Sequence, residues 1–284
     1  MKIFVAGASG VIGRILLPKL VEAGHEVTGM TRRKEQGQAI EELGAKAVIA
    51  DAFNLKQMVN IISENQPDVV IHQLTALSQG SSAENARIRM EGTRNLVNAA
   101  RQANVKKIIA QSISWAYEPG DEPAMEEVAL DVHAPLPRST TISGIAALES
   151  AVTEIPDYVI LRYGTLYGPS TWYDKNGATA GQVRNHELTA TDGVSSFIHV
   201  EDAANAAFLA LAWPTGTYNI VDDEPAKGID WLPVYADILN APSPELQLGA
   251  GGWERGALNT KVKNVCGWNL HYPTWRTGFL EALR

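Results

Sequence analysis

The segment Gly7-Ala8-Ser9-Gly10-Val11-Ile12-Gly13 follows a β-rich run and opens an amphipathic one. Glycines at this spacing let the backbone turn tightly and approach a pyrophosphate, whose charge the free amides and dipole of a helix N-terminus favour. A dinucleotide site of this kind usually carries an acid at the end of the second strand, accepting from the ribose hydroxyls. Here that place reads Met30-Thr31-Arg32-Arg33-Lys34. Its cations would attract a 2′-phosphate, and planar Arg forks suit bidentate contact better than Lys. The expected cofactor is therefore NADP, with NAD less favoured; the alternative is a solvated basic start to the next helix. Asp51, after a third β-rich run, is either an acceptor for the adenine amine or a helix cap.

Hydride chemistry at such a site needs a group that moves a proton within hydrogen-bond reach. The candidates are Ser112, Ser114, Tyr117, Thr141 and Tyr163. Ser112 and Tyr117 follow a fifth β-rich run, which places them on the carboxyl edge where open α/β sheets bind ligands. A Ser or Tyr without a base has a high ordinary pKa and serves better to polarise a carbonyl than to relay protons. Tyr117 has the alternative role of an amphipathic cleft wall. His199, in an apolar run without metal-spaced partners, reads as a structural hydrogen-bonded histidine. His133, in an acidic, Pro-rich stretch, is either a mobile base or a solvated loop residue. Asp121-Glu122 and Glu126-Glu127 are neighbours whose side chains point apart, and they read as solubilising charge. Trp115, Tyr117, Trp172 and Tyr173 either line a cleft for a fairly apolar ligand or pack a second lobe.

Positioning these residues takes a particular order of elements. Short apolar runs at 2–6, 26–30, 47–50, 69–73, 107–110 and 158–163 alternate with amphipathic ones at 11–23, 34–43, 55–64, 83–103 and 140–153. That is the pattern of a parallel sheet covered by helices on both faces, a doubly wound α/β fold. Pro18 should bend the first helix locally. Past Gly168 the regularity fails, and only 216–221 reads as a further strand, returning to the main sheet. The expected domains are residues 1–168 plus about 216–222 for the nucleotide, and about 169–215 with 223–284 as a small irregular substrate lobe.

Composition bounds the rest. The chain has 284 residues, 45% hydrophobic and 20% charged, which are soluble globular proportions. Its 24 Lys and Arg against 32 Asp and Glu give a net charge of −8, which repels phosphate backbones and anionic lipid, so neither nucleic acid nor membrane is an expected partner. The single cysteine, Cys266, has no disulfide or metal-site companion; no metal is expected, and the default compartment is the cytoplasm. The apolar run at 3–6 is too short for a signal peptide and reads as the first strand.

With the glycine loop in place, the chain resembles the NAD-dependent epimerase/dehydratase branch of the short-chain dehydrogenase/reductase superfamily. The resemblance lies in residues 7–13, His72-Gln73-Leu74-Thr75-Ala76, Glu91-Gly92-Thr93-Arg94-Asn95-Leu96-Val97, Leu161-Arg162-Tyr163 through Tyr167-Gly168-Pro169, and Phe197-Ile198-His199-Val200-Glu201-Asp202. It implies a Rossmann-type sheet, a nicotinamide cofactor across it and a small-molecule substrate under the C-terminal lobe, in a monomer or homodimer. It implies cofactor contacts at Gly7, Ser9, Gly10, Val11, Ile12, Gly13, Thr31, Arg32, Arg33, Asp51, Ala52, Gln73, Leu74, Thr75 and Tyr163. The family's acid is a Tyr activated by a Lys four residues later, yet no Tyr here is followed by Lys at that spacing. Aligned on Ala146-Ala147-Leu148-Glu149, Thr141 takes the Tyr position and Ile145 the Lys position. The helix asparagine before Glu-Gly-Thr becomes Arg89, the serine pair becomes Ser112-Ile113-Ser114, and the Asn of Leu-Arg-Tyr-Phe-Asn becomes Thr165. The pattern looks most like the atypical members, with Tyr117, Ser112 and Thr141 left as catalytic candidates. It implies an NADP-linked oxidoreductase of a small carbonyl or alcohol compound, with a non-catalytic nucleotide sensor or a nucleotide-sugar epimerase/dehydratase as alternatives.

Overall fold

The computed structural model describes residues 1–77 and 81–283. Strands β1 (Lys2–Ala6), β2 (Glu26–Thr31), β3 (Lys46–Ile49), β4 (Val69–His72), β5 (Lys107–Ile113) and β6 (Asp157–Tyr163) alternate with α1 (Val11–Glu22), α2 (Lys34–Glu42), α3 (Leu55–Asn65), α4 (Ser82–Arg87), α5 (Thr93–Gln102) and α6 (Arg138–Val152). After β7 (Thr165–Tyr167), α7 (Ala178–Arg184), β8 (Thr189–Ala190), β9 (Val194–Ser195), β10 (Phe197–His199) and α8 (Val200–Leu209), the chain forms β11 (Gly216–Ile220). The seven-stranded sheet has the order β11-β6-β5-β4-β1-β2-β3, so the Gly216 strand does join the main sheet. Parallel ladders run from β3 through β2, β1 and β4 to β5. The chain leaves β1 for β2 on one side and later returns to β4 on the other, which makes the carboxyl ends of β1 and β4 the switch point where such sheets bind ligands.

Strands buried on both faces need continuous apolar runs. Ile3, Phe4, Val5 and Ala6 are 1% exposed or less, as are Val70, Ile71, Ile108 and Ile109. Below one face, Phe4, Met30, Met58, Ile62, Leu96 and Leu148 join one core cluster. The helix α1 runs unbroken through Pro18.

The amphipathic run expected as one helix over 83–103 is divided. A five-residue π-helical turn, Ile88–Gly92, separates α4 from α5. The extra residue in the turn shifts the side-chain phase, so Arg89 is turned inward and is only 6% exposed. A straight 3.6-residue pattern has no way to signal that shift.

The chain divides into two compact units. The first comprises Met1–Ser112, Asp131–Leu161 and Ala204–Thr217; the second comprises Ile113–Leu130, Arg162–Ala203 and Tyr218–Arg284. This differs from the division expected from the sequence. Residues 204–217 go with the first unit, where buried Lys107 donates to the Trp213 carbonyl at 2.7 Å. Residues 113–130 go with the second, where the Ala124 amide donates to the Gly256 carbonyl at 3.0 Å.

The second unit adds β12 (Ala226–Lys227), α9 (Gly228–Ile238), β13 (Glu245–Leu246), α10 (Thr260–Cys266) and α11 (Trp275–Ala282). Its core is aromatic, with Tyr167, Phe197, Trp231, Tyr235, Trp275 and Phe279 in one cluster. Phe197 and Phe279 meet edge to face at 5.2 Å, the favourable arrangement for ring quadrupoles. No helix among the described residues is long and apolar enough to cross a membrane.

Candidate functional site

In the first unit the glycine loop turns directly into α1. Gly7 has φ +89°, and a Cβ built there would lie 2.4 Å from the Gln73 carbonyl oxygen. A Cβ on Gly13 would lie 2.4 Å from the Ala8 carbonyl oxygen, so neither position admits a side chain. Gly10 is the N-cap of α1 and supplies no side-chain cap, leaving the first-turn amides for an anion. Val11 and Ile12 begin the helix, with Ile12 buried.

At the end of β4 the Gln73 side chain is buried, and both its amide atoms lack a partner among the described residues. A buried amide left without partners is costly unless a ligand supplies them. The glycine cradle, the uncapped helix end and this orphaned amide together fit a nicotinamide dinucleotide. Leu74 and Thr75 continue outward from Gln73, the Leu74 carbonyl accepting from Gln111 Nε2 at 3.1 Å.

The end of β2 is polar and basic. Ser9 Oγ donates to Gln36 Oε1 at 2.9 Å, as does Thr31 Oγ1, which ties the glycine loop to the first turn of α2. Arg32 and Arg33 are exposed; the Arg33 backbone amide donates to Thr31 Oγ1 at 3.3 Å. Asp51 Oδ1 accepts from the Phe53 amide at 3.0 Å in a local turn, while Asn54 caps α3 by accepting from Gln57. The cap is thus Asn54 and not Asp51. Ala52 is buried, and its carbonyl accepts from Asn95 Nδ2 at 2.9 Å.

The acid-base positions are occupied by other chemistry. Thr141 is half-buried on α6, and Ile145, at the family's lysine position, is fully buried in the core. Ser112 Oγ donates to buried Glu149 Oε1 at 2.6 Å. That corrects its reading as a group presented to substrate, because the hydroxyl proton is committed to a carboxylate inside the unit. His72 is buried and pushed down to about 4, first by desolvation and then by the Arg89 charge. Its Nδ1 accepts from the Leu74 amide, so its Nε2–H faces Thr93 Oγ1 at 2.7 Å.

In the second unit Tyr117 is a buried hub, which corrects its reading as a cleft wall. Its hydroxyl donates to Asn219 Oδ1 at 2.5 Å, and the Arg162 guanidinium lies over its ring, 4.9 Å from the centroid. Burial pushes the phenol up to about 12 against the opposing pull of Arg162, so it is a poor proton donor. Glu126 is not merely solubilising, since its Oε1 accepts from the Asn219 amide at 2.7 Å and burial raises its pKa. Tyr163 likewise points inward, donating to the Ala203 carbonyl at 3.2 Å, which removes its hydroxyl from the set of open contacts. His199 is buried, accepts from the Glu201 amide and packs on Tyr272 with centroids 3.8 Å apart. Tyr173 belongs to the aromatic core, and Trp172 and His133 are exposed.

Of the four aromatics singled out, Trp115 lines a cavity. A cavity of about 230 Å³ in this unit is bounded by Ser114, Trp115, Thr165, Trp253 and Glu254. The rings of Trp115 and Trp253 stand 6.3 Å apart at 52°. Sites for drug-sized ligands run roughly 300 to 1,000 Å³, and this cavity is smaller than that. Trp253 and Glu254 were missed because a loop far along the chain brings them to Trp115, and no local pattern marks that. No cluster of His, Cys, Asp and Glu able to hold a metal occurs among the described residues.

The sequence matches the NAD dependent epimerase/dehydratase family over residues 3–221, and the chain belongs to that family of NAD(P)-dependent Rossmann enzymes. A 3-diazoavenalumate denitrifying reductase from a Streptomyces species is 38% identical, covering 98% of this chain and 99% of that one. The UDP-glucose 4-epimerase of Thermotoga maritima, solved with UDP-glucose, superimposes with a TM-score of 0.78 at 21% identity, over 99% of this chain and 97% of that one. The UDP-glucose 4-epimerase of Thermus thermophilus, solved with NAD, gives 0.76 at 24% identity over the same shares. The likeness to these two epimerases is one of fold.

Proposed function

We propose that this chain is an NADP-linked reductase that removes nitrogen from a small aromatic diazo acid, the reaction class in the name of its Streptomyces relative. The observation that carries the reading is the replacement of the family's Tyr and Lys by Thr141 and the buried Ile145. A carbonyl that takes a hydride becomes an alkoxide and calls for an acid. An aryl diazonium carbon that takes a hydride gains a C–H bond while the C–N bond breaks, its electron pair leaving with dinitrogen. The product is a neutral arene, and no proton is transferred. Bound NADPH supplies that hydride and is oxidised by two electrons.

This chain's own residues bind and orient. Residues 7–13 hold the pyrophosphate, Gln73 completes the dinucleotide site, and Arg32 with Arg33 takes the 2′-phosphate. The small-carbonyl reading lacks a proton relay, because Ser112 and Tyr117 are both committed to buried acceptors. The nucleotide-sugar reading lacks its asparagine, replaced by Thr165.

The test is incubation of the full chain with a carboxylated benzenediazonium and deuterium-labelled NADPH, beside a protein-free control. The expected result is dinitrogen release matched to NADPH consumed, with deuterium at the ring carbon that lost nitrogen. Inertness toward the diazonium together with reduction of ketones, epimerisation of UDP-glucose, or nucleotide binding alone would overturn the reading.

A further inference from the structure

Four arginines lie on the segment from α4 to α5, and three of them have acidic partners. Arg87 pairs with Glu91 at 3.0 Å, and Arg94 and Arg101 both reach Glu154, at 2.6 and 2.7 Å. All three are well exposed. Arg89, in the π-helical turn between them, is only 6% exposed. Among the described residues it makes no ion pair and no hydrogen bond.

The nearby groups do not answer its charge. His72, whose imidazole feels Arg89, is a neutral base with both nitrogens already committed, to the Leu74 amide and Thr93 Oγ1. Glu91 is held by Arg87. Asn85 is buried and its Oδ1 accepts from the Ala76 amide at 3.1 Å. Desolvation pulls the guanidinium down to about 10, still charged at neutral pH. Buried charges are ordinarily paired, because an unpaired one forfeits its hydration for nothing. A protein keeps such a group where a ligand supplies the counter-charge, and π-helical turns recur at functional sites.

We propose that Arg89 is an anion-binding residue of the first unit and takes the carboxylate of the aromatic substrate. The planar guanidinium matches a carboxylate in bidentate fashion, which a lysine does not. The dinucleotide's phosphates have their own places at the α1 N-terminus and beside Arg32 and Arg33, which leaves the substrate's charge for Arg89. That an anion binds follows from Arg89 itself; that it is a substrate carboxylate rests on the reductase reading.

The experiment compares cinnamate with cinnamamide, which differ in charge and little in shape, on the full chain carrying NADP. Binding is read by calorimetry and thermal melting for wild type, Arg89→Met and Arg89→Lys. Wild type should bind cinnamate on the order of tenfold or more tighter than the amide, the scale of a charge-assisted hydrogen bond. Arg89→Met should lose that discrimination, leave NADP affinity unchanged, and melt at a higher temperature than wild type when unliganded, because the unpaired charge is gone. Arg89→Lys keeps a charge, guards against failure of the Met variant to fold, and should show discrimination reduced severalfold. Discrimination that survives in both variants would overturn the proposal. So would a tenfold loss of NADP affinity in Arg89→Met with discrimination intact, which would give the anion to the cofactor. If wild type discriminates through Arg89 but never releases dinitrogen from a diazonium, the site stands and the reductase reading falls.

Discussion

Replacing both Arg32 and Arg33 with alanine tests the proposed preference for NADP. Both side chains are exposed beyond β2, and among the described residues neither is held by an ion pair. The contact that shapes this corner is the Arg33 backbone amide donating to Thr31 Oγ1, which alanine retains. Exposed substitutions free of such contacts change stability by about 0.5 kcal/mol or less, so the double variant should melt with wild type. A 2′-phosphate carries close to two negative charges, and hydrogen bonds to charged groups contribute about 1.5 to 3 kcal/mol. At about 1.4 kcal/mol per tenfold, wild type should prefer NADP over NAD by on the order of 10- to 100-fold. No acid among Thr31, Arg32, Arg33 and Lys34 accepts from a bare ribose, so the substitution removes nothing from NAD. Calorimetric titration of both nucleotides at low and high salt reads all of this. The variant should bind the two nucleotides about equally, with NAD affinity unchanged and a flatter salt dependence for NADP. Equal or tighter NAD binding by wild type, or a preference that survives in the variant, would refute the assignment.

Gly7→Ala should abolish nucleotide binding and lower the melting temperature, because the new methyl meets backbone atoms of Gln73 that cannot yield; Gly24→Ala, with φ +79° and open space around it, is the control that carries backbone strain alone. Tyr117→Phe should cost about 1 to 3 kcal/mol in denaturant unfolding, the usual effect of stranding a buried acceptor such as Asn219. Its turnover per folded molecule should be unchanged, and lost turnover at full stability would return Tyr117 to the catalytic group. Asp222 is buried and pushed up to about 8 by desolvation, so the unfolded chain ionises first and stability falls as pH rises from about 4 toward 8. Between pH 5 and 7 that slope should approach about 1.36 kcal/mol per pH unit, and Asp222→Asn should flatten it in urea titrations at those two values.

The sheet was legible because buried parallel strands leave continuous apolar runs, and the six expected strands of the first half match the observed ones closely. The final strand, Gly216–Ile220, was legible for a similar reason: a short β-rich run stood between turn residues. The glycine loop was legible because two of its glycines cannot be anything else, as the carbonyls of Gln73 and Ala8 show. What failed was whatever depends on which way a side chain turns. Tyr117 and Ser112 stand at the right edge of the sheet by sequence position, yet each hydroxyl is drawn inward by an acceptor more than thirty residues away. Spacing gives the edge and carries no information about that acceptor.

Arg89 marks the same limit from the other side. Its type was visible, an arginine where the family keeps an asparagine, but type alone does not separate a solvated helix arginine from a buried one. Arg87 and Arg94, two and five positions away, are ordinary exposed members of ion pairs. The difference comes from the π-helical turn, which rotates one position inward without changing the composition of the helix. Burial then changes what the residue means. An exposed arginine is satisfied by water and needs no partner to explain it, whereas a desolvated one must find an anion or destabilise the fold. The described chain supplies no such anion to Arg89, and on the proposal above a ligand does, so that the family position lost to catalysis at Thr141 and Ile145 would be set against one gained for binding.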